Sequence, residues 1–384
     1  MTDQATCKGA ACCAPTSNPD LPFDPESVAP LLLDWYGREG RELPWRGTRD
    51  PYRVWLSEIM LQQTGVATVI PYYQRFLERF PTVLDLAAAE LDAAIELWAG
   101  LGYYSRARNL HAAARKVTAE HGGRFPETLE ALQALPGVGR STAGAIRAIA
   151  FDRPGVILDG NVRRVLCRLL AVTDDPRATA TEKELWRWAE ALTPENRSHD
   201  YAQAIMDLGA TLCTPRRPDC PRCPLAGLCR AKALGLEDEL PRRAARKSVP
   251  TRMQVALLLE RDGRFLVRQR PFSGMLGGLW EFPASDVAEG QLPLVVARRL
   301  LADLGLAGEP AEAGRVRHVY SHFKLDLRLY RAAVTDGFAV AEGAASRRLT
   351  AVELADLPLH GAHKKVLSDL IQSQPSTPES RSRP

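Results

Sequence analysis

The sequence predicts a multidomain protein in which an all-α region, carrying a hairpin between two helices and a four-cysteine loop, is followed by a smaller α+β domain. Three observations predict it. Leu135-Pro-Gly-Val-Gly139 puts two glycines between helical segments. Cys213, Cys220, Cys223 and Cys229 crowd into one short loop. From Met253 onward the pattern turns strand-like, with short apolar runs and, at Phe323, Leu325, Leu327 and Leu329, apolar residues at every second position. With 384 residues, 45% hydrophobic and 25% charged, the chain has core enough for two or three domains. A formal net charge of +4 excludes binding a polyanion by overall charge, so such a partner would need a local basic face and main-chain donors. No apolar run is long enough to span a bilayer. Residues 1–25 hold Thr, Asp, Lys and cysteines where a secretory leader needs an apolar stretch, so a cytoplasmic protein with no membrane partner is expected.

Taken in order, residues 1–25 are small and Pro-flanked and read as a disordered tail containing Cys7, Cys12 and Cys13. Val28, Leu31, Leu32 and Trp35 follow helical spacing, as do the apolar positions of 54–61, 86–98 and 110–117. Pro126 opens a helix expected to end at Pro136. In the hairpin the glycines permit a tight turn, and the helix starting near Arg140 can aim its free N–H groups at a phosphate. Gly137, Val138, Gly139 and Ser141 are therefore candidate DNA contacts. Asp159 suits the N-cap of the next helix, and helices over 181–192 and 200–212 close the region.

The loop Cys213-x6-Cys220-x2-Cys223-x5-Cys229 is too short and polar for a core element, so four thiolates should share one ligand, zinc or an iron–sulfur cluster. Cys167 falls on an apolar helical face and reads as inert core. Residues 230–250 form a basic connector, and Ser373 to Pro384 is a second tail. Between them, 255–259 and 265–267 supply strands, and one helix is expected over 294–304. Phe323, Leu325, Leu327 and Leu329 alternate with polar residues as a half-buried strand. The divisions expected are thus 1–25, 26–229, 230–250, 251–372 and 373–384.

Several motifs occur together: Leu43-Pro-Trp-Arg46, Ser57-Glu-Ile-Met-Leu-Gln-Gln-Thr64, Gly100-Leu-Gly-Tyr-Tyr104, the hairpin, Leu158-Asp-Gly-Asn161, the cysteine loop and Arg317-His-Val-Tyr-Ser-His-Phe323. On these, nearly the whole chain resembles the adenine DNA glycosylases of the MutY type, within the helix-hairpin-helix, endonuclease III-like superfamily. The resemblance implies a monomeric, nucleoid-associated base-excision-repair enzyme. It would act on double-stranded DNA, releasing adenine mispaired with 8-oxoguanine or guanine without cutting the strand. It also implies that Cys213, Cys220, Cys223 and Cys229 hold a 4Fe–4S cluster.

Breaking an N-glycosidic bond calls for protonation of a poor leaving base and stabilisation of a cationic sugar, which two carboxylates in different environments supply. Glu58 lies among Trp55, Ile59, Met60 and Leu61, an apolar setting that favours the protonated form needed to donate to N7 of adenine. The resemblance makes Asp159, beside Asn161, the ionised partner facing the sugar. By the same matching, Gln63 and Tyr103 would wedge into the stack when the adenine is turned out. Thr64 would lie near the opposite base, and Trp45, Arg46 and Gln203 would line the adenine pocket.

Gly277-Gly-Leu-Trp-Glu-Phe-Pro283 resembles a Nudix domain, but the helix Ala297-Arg-Arg-Leu-Leu-Ala-Asp-Leu-Gly305 has a single acid where a Nudix hydrolase needs a cluster of glutamates for Mg²⁺. Nucleotide hydrolysis is not expected on that count. The resemblance instead gives Tyr320, Ser321 and His322 the recognition of 8-oxoguanine, with Tyr320 standing where the family usually has Phe. Two rival functions fit less well. A bifunctional glycosylase/lyase of the endonuclease III type carries a lysine where this chain has Ser141, and a non-catalytic damage-binding protein would need neither Glu58 nor Asp159.

Overall fold

The computed structural model describes residues 21–242, 249–272, 274–320, 322–333 and 345–372. Cys7, Cys12, Cys13, Ser321, residues 243–248 of the connector and the C-terminal tail lie outside the described residues. Ahead of residue 26 the Asp24 carboxylate accepts from the Glu26 N–H and caps a turn at Pro25–Ser27, so the helical region takes in residues expected to belong to the tail. Two compact units form. One comprises residues 1–55, 127–133 and 138–244, and the other 56–126, 134–137 and 245–384, so the helical region contributes to both. Among the described residues, no helix is long and apolar enough to cross a membrane.

The first unit is helical and is organised by Ser198–Thr211, a helix buried on nearly every side from Ser198 to Gly209. Against it pack Val28–Glu39, Arg140–Phe151 and Gly160–Leu169. Arg140–Phe151 lies so close to the segment before Asp159 that a Cβ on Gly144 would come within 2.1 Å of the Val156 carbonyl oxygen. Only glycine allows that approach, and it fixes the course of the chain into Asp159. The helix expected from Pro126 to Pro136 is shorter, Leu129–Gln133, because the Thr128 hydroxyl accepts from the Ala131 N–H and starts it late.

In the second unit the helices Val66–Arg79, Val83–Ala88, Leu91–Trp98 and Ser105–His121 bury Phe76, Phe80, Trp98 and Leu110. The α+β part has strands β1 (Thr251–Leu258), β2 (Glu260–Arg261), β3 (Arg264–Gln269), β4 (Trp280–Glu281), β5 (Ala284–Val287), β6 (Ala311–Val319), β7 (Lys324–Arg331) and β8 (Ser346–Thr350). One sheet runs β5-β1-β7-β6, with β1 and β7 parallel, and the other runs β2-β3-β4 with β8 paired to β3. The strand expected over 255–259 forms as β1, an unbroken apolar run in which Ala256 and Leu258 face one core while Val255 and Leu257 face the other with the helix Pro293–Asp303. β7 differs from the half-buried strand expected of it. Leu325, Leu327 and Leu329 are buried on one face, and Asp326 and Tyr330 are buried on the other, Asp326 paired with Arg315. Both faces of β7 are covered.

Candidate active site

Asp159 is the N-cap residue of Gly160–Leu169. Its Oδ1 accepts from the Val162 N–H at 2.7 Å and its Oδ2 from the Asn161 side-chain amide at 3.2 Å. Asn161 is gripped in turn by Arg164, which donates to Asn161 Oδ1 at 2.8 Å, to the Gly209 carbonyl at 2.6 Å and to the Cys213 carbonyl at 2.7 Å. Ser141 accepts the Leu158 N–H at 3.0 Å, tying down the peptide just before the carboxylate. Burial raises the Asp159 carboxyl above the ordinary aspartate value, while the Val162 and Asn161 donors and the Arg164 charge oppose the rise. The residue expected to be ionised thus sits where its charge is least solvated, and a neighbouring cation would stabilise that charge most.

Trp45 is buried, and Arg46 donates to Asp207 at 2.7 Å. Asp207, itself fully buried, also receives the Arg41 guanidinium at 2.5 Å and the Arg41 N–H at 3.0 Å. Gln203, one turn earlier on the same helix, is buried and gives one amide hydrogen to the His199 carbonyl at 3.2 Å. Arg46 and Gln203 are therefore set by one helix face. The clamp of Arg41 on Asp207 escaped the sequence reading. Its one signal is an acid set among Ala204, Ile205, Met206 and Leu208, an apolar stretch in which a carboxylate demands a cationic partner.

In the hairpin, Gly137 has φ of +79°, and a Cβ there would meet Asn109 at 2.9 Å. Gly139 needs no such freedom: it is extended and serves as N-cap of Arg140–Phe151 with no side-chain cap, which leaves that helix start open to an anion. Val138 is buried, so only its main chain is on offer.

Glu58 is half-buried on Pro51–Leu61 between buried Ser57 and buried Ile59. The end of that helix is held by Arg106, a residue the sequence reading passed over. Its guanidinium donates to the carbonyls of Ile59, Met60 and Gln62 at 2.9, 2.8 and 2.7 Å, to the Thr64 hydroxyl at 3.0 Å and to the Gly102 carbonyl at 3.1 Å. Burial lowers its pKa to about 10, still charged at neutral pH. On either side of this clamp stand Gln63 and Tyr103, with φ of 59° and 51°. Left-handed backbone at two non-glycine residues costs of the order of 1–3 kcal/mol each and persists only where the surroundings impose it. Gln63 and Tyr103 share the wall of one cleft with Asn109 and Gly137.

Tyr103 also borders a larger cavity of about 520 Å³, whose wall includes Tyr104, Arg108, Tyr320, His322 and Lys364. Tyr320 and His322 sit on the turn between β6 and β7, closed by the Tyr320 N–H donating to the Phe323 carbonyl at 2.8 Å. His322 is exposed.

Cys213, Cys220, Cys223 and Cys229 surround a single small void together with Arg168. None of the four is in a disulfide, and Arg168 donates to Cys213 Sγ at 3.3 Å. Burial and mutual repulsion push the Cys223 thiol up to about 12 and raise Cys220 and Cys229 as well, so four thiolates here require a cationic centre. The residues fit such a group. Cys167 is buried, its thiol raised to about 11, in keeping with an inert core residue.

Comparison with known proteins agrees with this geometry. Residues 56–191 match the HhH-GPD superfamily of base excision DNA repair proteins, 213–229 the iron–sulfur binding domain of endonuclease III, and 254–369 the NUDIX domain. The cofactor is a 4Fe–4S cluster, which settles the choice that spacing left open. The solved structure of a thermostable thymine-DNA glycosylase superposes with a TM-score of 0.50 at 29% identity, covering 55% of this chain and 97% of that one. Human adenine DNA glycosylase is 40% identical over 90% of this chain and 74% of its own length, and the mouse protein is 39% identical over 87% and 76%. The chain belongs to the adenine DNA glycosylase family, enzymes of base excision repair that cleave the N-glycosidic bond in DNA.

Proposed function

We propose that this protein hydrolyses the N-glycosidic bond of adenine paired with 8-oxoguanine or guanine in duplex DNA, acting as a monomer and leaving an uncut abasic strand. Glu58 gives its proton to N7 as the C1′–N9 bond breaks and the bonding pair leaves with the base. Asp159, oriented by Asn161, supplies negative charge to the cationic sugar. Water then adds at C1′, and its proton restores Glu58. Trp45, Arg46 and Gln203 receive the adenine, while Gln63, Thr64 and Tyr103 occupy the space it leaves. The hairpin main chain at Gly137, Val138 and Gly139, with Ser141, grips phosphate. Residues 26–229 are the glycosylase region, 230–250 the connector and 251–372 the lesion reader. Cys213, Cys220, Cys223 and Cys229 ligate the cluster, which when bound pins their loop as a rigid brace.

One observation carries the lesion-reading half of this proposal: the 520 Å³ cavity is walled by Tyr103 together with Tyr320 and His322. A wedge residue and a reading turn on one cavity are what a base opposite the excised adenine requires. The test is base release and strand cleavage on duplexes with adenine opposite 8-oxoguanine, guanine or thymine. Release with an intact strand, fastest opposite 8-oxoguanine, is expected. Equal rates on all three, or cleavage in step with release, would sink the proposal.

A further inference from the structure

Behind the cavity lies a cluster that the sequence reading did not use. Glu281, His360 and His363 are buried, and their ligand-type atoms all lie within 4.8 Å of one another. Two imidazoles and a carboxylate so placed are a possible metal set by chemistry alone. Their hydrogen bonds argue otherwise. The Phe282 N–H donates to His363 Nδ1 at 2.9 Å, so the proton of that neutral ring is on Nε2, where a cation would need a lone pair. Arg270 meanwhile donates to Glu281 at 2.6 Å and already supplies the positive charge.

What remains is a directed chain. Burial by itself would raise the Glu281 carboxyl, but the His360 hydrogen bond and the Arg270 charge together hold it below the usual carboxylate range, so it only accepts. His360 Nε2, 3.4 Å away, is then the donor, and its Nδ1 is left to accept from the Tyr320 hydroxyl at 2.8 Å. That hydroxyl also accepts the Ala362 N–H at 3.2 Å, and burial pushes it up to about 12, which keeps its proton in place. The Tyr320 ring stacks on Phe323 with centroids 4.8 Å apart and planes at 26°. The Tyr320 side chain is thus held at both its ring face and its hydroxyl. His363 supports His360 from behind, its ring edge-on at 4.1 Å.

We propose that Arg270, Glu281 and His360 form a buried positioning relay that anchors Tyr320, and with it the His322 turn, at the wall of the cavity, and that this anchoring sets how strongly the enzyme prefers 8-oxoguanine over guanine opposite the adenine. The proposal rests on the reading that this cavity receives the opposite base. Tyr320 is the anchor of the reading turn and need not be the group that touches the base. Its hydroxyl satisfies an imidazole nitrogen that burial would otherwise leave without a partner.

The test uses the full-length protein and the ratio of single-turnover excision rates opposite 8-oxoguanine and opposite guanine. Tyr320→Phe and His360→Leu should each lower that ratio by roughly five- to ten-fold, the scale of one buried hydrogen bond. The double variant should fall no further than either single one. His360→Asn, whose carbonyl can accept near the place of Nδ1, should recover most of the ratio. A wild-type ratio in Tyr320→Phe, which removes only an oxygen and leaves the fold intact, would overturn the relay. So would multiplying effects in the double variant, or one zinc per chain that is lost in Glu281→Gln. Tyr320→Ala separates the relay from the reading beneath it. If deleting the whole ring changes both rates equally, the cavity does not read the opposite base; if Tyr320→Ala lowers the ratio while Tyr320→Phe does not, only the relay fails.

Discussion

The Asp159 centre and the Tyr320 turn achieve rigidity by different routes. At Asp159 the partners are close in the chain: Val162, Asn161 and Arg164 belong to the helix the carboxylate caps, and main-chain donors do much of the holding. At Tyr320 they come from remote segments, with His360 forty positions away and Glu281 on another strand. The capping contacts of the first arrangement form with the helix itself. The second exists only when the α+β domain is fully packed. The group proposed to carry the chemistry is thus built into local structure, while the group proposed to tune substrate choice depends on tertiary closure.

The largest effect that would sharpen this contrast is expected from Asp159→Asn. Asn caps helices about as well as Asp, so the fold and DNA binding should persist while excision falls by roughly 10³-fold or more for want of the negative charge. Single-turnover kinetics beside a gel-shift assay read the two separately, and near-wild-type excision would remove Asp159 from its role. Next is Arg106→Met. It strips a buried set of carbonyls of their donor and should lower stability by about 3 kcal/mol or more, measured by denaturant unfolding, with loss of excision as Gln63 and Tyr103 relax. A stable, active variant would mean that the strained backbone is held by something else.

Ser141→Ala should be milder. The Leu158 N–H loses its acceptor, and excision should slow roughly five- to ten-fold with little change in the preference between opposite bases, since that preference is assigned elsewhere. A shift in preference instead would break the separation drawn here. The smallest effect concerns pH. A carboxyl raised by burial loses its charge at a higher pH than an ordinary aspartate, so the excision rate should decline on the acid side above the usual aspartate range. Arg164→Met removes a charge that opposes the rise and should move this acid limb to still higher pH. A limb that stays put, measured from single-turnover rates across buffers, would detach Arg164 from the Asp159 carboxyl.

How far the site was legible follows from the same contrast. Asp159 as an N-cap, the helix after it and the shared cysteine loop could be read because capping and thiolate clustering are written in short spacings. Of the hairpin glycines, Gly137 is required by its backbone and by Asn109, whereas Gly139 is an extended N-cap, a distinction that needs the neighbouring helix to be seen. Arg106 read as an ordinary charge after Gly100-Leu-Gly-Tyr-Tyr104, because nothing local says that its guanidinium turns inward to carbonyls more than forty residues earlier.

By itself, then, the sequence determined the order of helical and strand regions and the set of thiolates, and it named the acids proposed for the chemistry, since these depend on periodicity and residue type over short spans. Only the tertiary structure decided which backbone positions are strained, which carbonyls Arg106 satisfies, that Arg41 and Arg46 share Asp207, and that the hydroxyl of Tyr320 finds His360. Each of these is a buried polar group meeting its complement from a distant segment. Such a pair is required by the low dielectric of the interior, but its members are chosen by where the chain brings them.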